Sequence, residues 1–356
     1  MTPVEAAGPD AILKIRDLRL HFPVKAGLLK KTVGYVKAVD GISFDVYAGE
    51  TVGLVGESGS GKTTIGRCIV RLYKPTTGSM HFRTGAGLVD IAQLDKRELQ
   101  PIRRDIQMLF QDPNSSLNAR MRVGDIIAEP LEIHAIGTAD ERRARVEDLL
   151  EHVGLGAEMY NRYPHQLSGG QRQRVGVARA LSIEPRLVIC DEPVSALDVS
   201  VQAQVLNLLA DLQEELGLTY VFIAHDLSVV EYISDRVMVM YLGKLMETAP
   251  TRKIFERPAH PYTEALLNSI PKRVRGGHRK RFVLTGDIPS PVNPPAGCVF
   301  HTRCQYAKDI CKTETPPLRT LPKDPYTSVA CHLVDELSLS PYYTAAERAD
   351  LEPDRA

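Results

Sequence analysis

Residues 56–63 run Gly56-Glu57-Ser58-Gly59-Ser60-Gly61-Lys62-Thr63, which fits the pattern G-x-x-x-x-G-K-[ST]. Immediately before them Thr51 to Val55 form a compact apolar run of strand character, and from Lys62 to Leu72 the apolar spacing becomes helical. A strand, a glycine-rich turn and a helix start, in that order, make an anion cradle. The glycines let backbone N–H groups turn inward, and the helix N-terminus adds its dipole. On this reading Gly56, Ser58, Gly59, Ser60 and Gly61 surround nucleotide phosphates, and Thr64 follows among the binding residues. Lys62 brings a point charge to the β- and γ-phosphates, and the Thr63 hydroxyl is placed for Mg²⁺. An incidental glycine turn also matches the bare pattern; the flanking strand and helix argue against it.

Working outward, Ile12 to Phe22 and Val36 to Val46 alternate and are rich in β-branched and aromatic residues, as strands are. Ala139 to Val153 and Val201 to Leu216 carry apolar stripes at helical spacing, and Arg186 to Cys190 and Thr219 to Ala224 are strands of the fully buried type. Val237 to Thr248 reads as a hairpin turning at Gly243. Strands alternating with helices predict a largely parallel sheet covered by helices. The strand Leu187 to Cys190 ends in Asp191 and Glu192. Beside a phosphate loop, Asp191 is placed to hold Mg²⁺ through its water shell, and Glu192 to polarise an attacking water. A strand ending in acids is otherwise commonplace and marks only the approach to solvent.

The 356 residues are 43% hydrophobic and 25% charged, with 44 Lys plus Arg against 44 Asp plus Glu, so no global field attracts nucleic acid. The first ten residues show no secretory leader, and no apolar run approaches the roughly 20 residues a spanning helix needs. Beyond about residue 250 prolines multiply, at Pro258, Pro261, Pro271, Pro289, Pro291, Pro294 and Pro295, and the texture is that of a separate, loop-rich module. The basic run Lys272-Arg273-Val274-Arg275 with Arg279-Lys280-Arg281 reads as a solvated linker, and 336–356 as a disordered tail. Cys68 and Cys190 read as buried small hydrophobes. Cys298, Cys304, Cys311 and Cys331 share a segment with too little apolar sequence for a core of its own, so a cross-link is expected. Five, six and nineteen residues separate them, without the paired C-x-x-C of common zinc modules. Four thiolates suit either zinc, with His301 and His332 as further candidates, or an iron–sulfur cluster.

Leu167-Ser168-Gly169-Gly170-Gln171, before a helical stretch from Arg172 to Leu181, resembles the signature of the ABC ATPase family. The resemblance covers roughly residues 11–250 and implies an α/β fold. That fold is an ABC-type P-loop ATPase core (1–250) with a helical signature subdomain (about 112–167), plus a small loop-rich C-terminal domain bearing the cysteines (251–335). It implies that Ser168, Gly169, Gly170, Gln171 and Asp198, the last within the Ser195-Ala196-Leu197-Asp198 segment along the dimer seam, serve the ATP of a partner subunit. Gln111 is implied as a contact to Mg²⁺ and water, and His225 as a contact to the γ-phosphate. With Lys62 and Glu192 these make the implied catalytic set. Tyr35 is the candidate to stack on adenine, with Phe22 behind it; Lys25 to Gly34 reads as an insertion.

A narrower resemblance is to the ATP-binding subunits of oligopeptide and dipeptide importers. It rests on Phe22-Pro23-Val24-Lys25, Lys37 to Phe44, Phe110-Gln111-Asp112-Pro113 with Ser115-Ser116-Leu117-Asn118, His260-Pro261-Tyr262-Thr263, and Gly297-Cys298 through Cys331-His332. It implies a second, non-identical ATPase subunit, two transmembrane permeases and a substrate-binding protein, and a peripheral place on the cytoplasmic side of the inner membrane. It also implies a [4Fe–4S] cluster on Cys298, Cys304, Cys311 and Cys331, with Zn²⁺ the alternative. Importers of nickel or other small solutes share much of this core, and a soluble non-transport ABC ATPase is a more distant reading.

Overall fold

The computed structural model describes residues 11–27, 30–112, 116–270 and 286–343. The basic run at 272–281, Pro113 and Ser115 fall outside these residues. Among the described residues, twelve strands build two sheets: β1 Ala11–Ala26, β2 Lys31–Tyr47, β3 Thr51–Val55, β4 Thr77–Thr84, β5 Gly87–Asp90, β6 Ile106–Leu109, β7 Leu187–Asp191, β8 Thr219–Ile223, β9 Arg236–Tyr241, β10 Lys244–Pro250, β11 Arg319–Leu321 and β12 Asp324–Val329. The α-helices are α1 Lys62–Ile69, α2 Leu99–Asp105, α3 Val123–Ile133, α4 Ala139–His152, α5 Gly169–Leu181, α6 Val199–Leu216, α7 Leu227–Ile233, α8 Thr251–Glu256, α9 Pro261–Ser269 and α10 Asp309–Thr313.

The main sheet runs β11-β12-β10-β9-β3-β8-β7-β6, parallel from β9 to β6 and antiparallel from β10 outward. Its central strands are apolar on both faces because both faces are covered. Val188, Cys190, Tyr220 and Phe222 enter one core, while Leu187, Ile189, Val221 and Ile223 enter the other. The sequence reading anticipated this parallel centre. The second sheet, β2-β1-β4-β5, is wholly antiparallel and departs from it. Within the segment Lys25 to Gly34, Lys25 pairs with Thr32 and Ala26 with Lys31, so its described flanks extend the β1–β2 hairpin. Helix α1 stops at Ile69, short of Leu72.

Helices α3 and α4 occupy the stretch assigned to the helical subdomain, and their buried Val123, Ile126, Ile127, Leu131, Val146 and Leu150 share a core with Val175 and Ala178 of α5. A capping box closes the start of α4: Glu141 N donates to Thr138 Oγ1, and Thr138 N to Glu141 Oε2.

Beyond residue 250 the C-terminal segment adds β12 to the edge of β10 and β11 beyond it, with Glu247 opposite Val329 and Thr248 opposite Ser328. Cys298, Val299, Phe300, Cys311 and Leu333 enter the core that holds β7 and β8 side chains. Part of the expected disordered tail is ordered too. Ser340 N donates to Glu264 Oε1, Tyr342 N to Phe255 O, and the Tyr342 ring meets Phe255 edge-on at 5.8 Å. Tyr342 and Tyr343 pack on the fully buried Phe255 and bury more area than the surrounding polar sequence advertises. Residues 344–356 lie outside the described residues.

Candidate nucleotide-binding and hydrolytic site

The phosphate loop joins β3 to α1. Gly56 and Gly61 are required by space as well as by torsion: φ is 150° and 105°, and a Cβ would meet Met240 O and Ala38 O, each at 2.1 Å. Lys62 is buried at 5% exposure, and its Nζ donates to Gly56 O at 2.6 Å, Glu57 O at 2.9 Å and Ser60 Oγ at 3.3 Å. The ammonium thus lies inside the curl of the loop. Burial lowers its pKa, and Glu192, Asp191 and Glu57 act in the opposite direction.

Thr63 Oγ1 donates to Asp191 Oδ1 at 2.8 Å, tying the loop to the end of β7. The other carboxylate oxygen, Asp191 Oδ2, is buried and has no hydrogen-bond partner. Burial raises the Asp191 pKa against the Thr63 hydrogen bond, which lowers it. A buried acceptor left open beside a threonine hydroxyl suits a hydrated divalent cation.

Glu192 follows in a left-handed conformation, φ 47°, which non-glycine residues seldom adopt and which marks strain at working residues. One of its oxygens gathers the remaining polar groups. Gln111 Nε2 donates to Glu192 Oε2 at 2.8 Å, and His225 Nδ1 lies 3.2 Å from the same atom. Gln111 arrives from the end of β6 and His225 from the end of β8, so three adjacent parallel strands deliver three side chains to one point. Glu192, Ser195, Gln202, Ala224 and His225 line a cavity there.

The signature lies apart from this cluster. Among the described residues no hydrogen bond or ion pair joins Ser168, Gly169, Gly170 or Gln171 to residues 56–63. Ser168 is the N-cap of α5: Gln171 N donates to Ser168 Oγ at 3.3 Å, and Ser168 N to Gln171 Oε1 at 2.9 Å. The serine hydroxyl proton remains available to an acceptor. Gly170 is a glycine because α6 passes close, a Cβ there lying 2.5 Å from Val201 Cγ1. Asp198 is exposed at the start of α6. Gln202, which the sequence did not single out, donates from Nε2 to Val194 O at 3.0 Å and Leu197 O at 2.9 Å, fixing the 195–198 turn to that helix.

Of the two aromatic candidates, Phe22 packs edge-on against Tyr73 with ring centroids 5.3 Å apart. Tyr35 is 52% exposed. The C-terminal segment borders it: Lys37 N donates to Pro291 O at 3.1 Å, and a Cβ at Gly34 would lie 3.1 Å from Val292 Cγ1.

Cys298, Cys304, Cys311 and Cys331 are free thiols in one neighbourhood, with Cys298 N donating to Cys311 O at 2.9 Å. Burial pushes Cys304 up to about 12 and Cys331 up to about 11, and nearby thiols of the same set add to each. Among the described residues, however, no three His, Cys, Asp or Glu side chains are grouped so as to hold a metal ion. The metal expected at these cysteines therefore has no formed site here, and the zinc alternative, which needs a tight tetrahedron, has none either. His301 Nδ1 lies 2.9 Å from Cys298 O and His332 Nε2 2.9 Å from Glu314 O, so each of those ring nitrogens faces a backbone carbonyl.

A phosphate loop, a buried carboxylate open to a cation and a strained glutamate bridging Gln111 and His225 define a P-loop ATPase site. Residues 39–195 match the ABC transporter family, and residues 246–311 match the oligopeptide/dipeptide transporter C-terminal region. The chain is 54% identical to the oligopeptide transport ATP-binding protein AppF of Bacillus subtilis, covering 92% of this chain and 99% of that one. It is also 54% identical to a putative peptide import ATP-binding protein of Brucella ovis, over 86% of this chain and 94% of the relative. Among solved structures it resembles the dimeric ATP-binding cassette MJ0796 in a post-hydrolysis state with ADP and Pi, at TM-score 0.59 and 32% identity, over 67% of this chain and 99% of that one. The protein belongs to the ABC transporter ATP-binding subunits of the oligopeptide/dipeptide type. None of the described helices is long and apolar enough to cross a membrane.

Proposed function

We propose that this chain hydrolyses ATP to drive peptide import, on the cytoplasmic side of the inner membrane. In this reading it pairs with a second, non-identical ATPase subunit beneath two permeases, and a substrate-binding protein delivers the peptide. The names of its relatives and the C-terminal family match support the cargo assignment. The observation that carries the hydrolytic role is the meeting of Gln111 and His225 on one Glu192 oxygen, next to the Thr63–Asp191 pair.

Gly56, Ser58, Gly59, Ser60, Gly61, Thr63 and Thr64 cradle the triphosphate, with Lys62 neutralising the β- and γ-oxygens and Tyr35 stacking on the base. Thr63, Asp191 and Gln111 hold Mg²⁺, which when bound offsets the charge that builds on the transferring phosphoryl group. Glu192 accepts a hydrogen bond from the attacking water and orients it in line, while Gln111 and His225 keep the carboxylate aimed. Ser168, Gly169, Gly170, Gln171 and Asp198 serve the nucleotide of the facing subunit, as their separation from this chain's own loop allows. A dimer that sandwiches nucleotide is consistent with the related cassette, which is itself dimeric. The helices between Gln111 and Leu167 dock on the permease.

Glu192→Gln keeps the shape and the hydrogen-bonding reach of the side chain. In the assembled transporter it is expected to cut phosphate release by about 10²–10⁴-fold while nucleotide binding persists. A normal rate would remove Glu192 from its role.

For the cysteines we propose a [4Fe–4S] cluster ligated by Cys298, Cys304, Cys311 and Cys331, which would draw together thiols that do not form a metal-holding group without it and so cross-link the C-terminal segment. The support is four free thiols within electrostatic reach of one another in a proline-rich stretch. Iron analysis of anaerobically purified protein is expected to give about four irons per chain. Iron-free protein that is folded and active would sink the assignment.

A further inference from the structure

Glu57 is the one acidic residue inside the phosphate loop, where a carboxylate is unwelcome to an incoming triphosphate. Its polar groups are all engaged. Arg303 grips the carboxylate as a fork, Nη1 donating to Oε2 at 2.6 Å and Nη2 to Oε1 at 3.0 Å. Glu57 N donates to Tyr262 Oη at 2.8 Å, and Lys62 Nζ donates to Glu57 O at 2.9 Å. Two of these three partners come from beyond residue 250, in a segment that no step of the hydrolytic scheme uses.

The grip is built on rigid supports. The Arg303 side chain is only 5% exposed, and its Nη1 also reaches Tyr241 Oη at 3.4 Å. Tyr241, Tyr262 and Phe300 pack as a trio of tilted and edge-on rings, with centroids 4.7, 5.2 and 5.3 Å apart. Arg303 itself ends the short 3₁₀ turn His301–Arg303, between Cys298 and Cys304. A bidentate, desolvated arginine–carboxylate pair holds direction as well as charge.

We propose that Arg303 is a positioning residue for nucleotide binding: it holds the Glu57 carboxylate away from Lys62 and the phosphates while Tyr262 fixes the Glu57 backbone. The anion affinity of the loop is thereby set by the C-terminal segment. Without the guanidinium, the freed carboxylate both repels the phosphates and competes for the Lys62 ammonium, already within its electrostatic reach. The inference rests on the reading that ATP occupies this loop.

The test is equilibrium binding of Mg·ATP to the full chain, followed by calorimetry. Arg303→Ala is expected to weaken binding by about ten- to a hundredfold, the range a lost charge-assisted pair supplies. Adding Glu57→Gln should restore most of that loss, because the offending charge leaves with its partner. A folded Arg303→Ala protein with unchanged affinity overturns the proposal, as does a double variant that binds as weakly as the single. If Arg303→Ala does not fold, the double variant decides: folded with near-normal affinity supports the role, and unfolded or weak binding assigns Arg303 to the fold alone. No binding by the unaltered chain would instead remove the nucleotide reading beneath it.

Discussion

His260 is buried at 1% exposure, with Tyr262 N donating to its Nδ1 at 3.0 Å and the ring also bonded to the Ala330 backbone. Burial drives its pKa from 6.5 down to about 3. Between those values the unfolded chain binds a proton that the folded chain refuses, so stability from this site is complete above pH 6.5 and drains as pH falls toward 3. Glu247, wholly buried, accepts from Ala259 N at 2.8 Å and His260 N at 2.9 Å, and burial lifts it from 4.5 to about 7. Its sign is opposite: the folded chain holds the extra proton, so stability falls as pH rises from 4.5 to 7. From pH 4.5 to 6.5 the two slopes oppose, and below 4.5 His260 acts alone. His260→Asn keeps an N-cap acceptor without the titration. Its melting temperature should decline from pH 4.5 to 6.5 and lose less than the unaltered protein from 4.5 to 3. Parallel melting curves for the two proteins across that range would refute the assignment. Such single residues were only partly legible. Lys62, Thr63, Asp191 and Glu192 announce themselves through pattern, whereas Arg303 lies 246 positions from Glu57 and carries no local signal.

At the level of elements, legibility followed burial. Strands β3, β7 and β8 are covered on both faces, so they are buried throughout and mostly apolar, and their ends were legible to within a residue. Helix α5 was read from Arg172, and it starts three residues earlier at Gly169, where Ser168 and Gln171 form a capping box across glycines that read as a turn. Strands β11 and β12 were not. Arg319–Leu321 is three residues long, and Asp324–Val329 contains Pro325 and mixes polar with apolar residues, as peripheral strands do. The strand character of β12 is conferred by β10, which lies far away in the sequence, and that of β11 by β12. The same holds for Tyr342 and Tyr343, whose partner Phe255 belongs to α8.

For the molecule as a whole, the segment beyond residue 250 shares both the main sheet and a core with the residues before it. The grouping of Gln111, Asp191, Glu192 and His225 beside the phosphate loop was legible because its parts follow one another in a recognisable order. The C-terminal contribution to that site was not, because composition marks prolines and cysteines but not what they pack against. The β12 strand seals the flank of β10, whose Leu245 and Met246 are buried, and Glu247 and Thr248 are the residues it covers. A chain shortened to end at Ile270 would keep the phosphate loop, Glu192 and His225, yet it would present a bare row of peptide groups beside an uncovered apolar face. Unpaired strand flanks of that kind recruit other strands. The shortened protein is expected to elute from size-exclusion chromatography as soluble aggregates, and a stable monomer with the melting temperature of the full chain would contradict this. In evolutionary terms the segment is then no dispensable accessory: a lineage that lost it would have to gain a new guard against self-association in the same step.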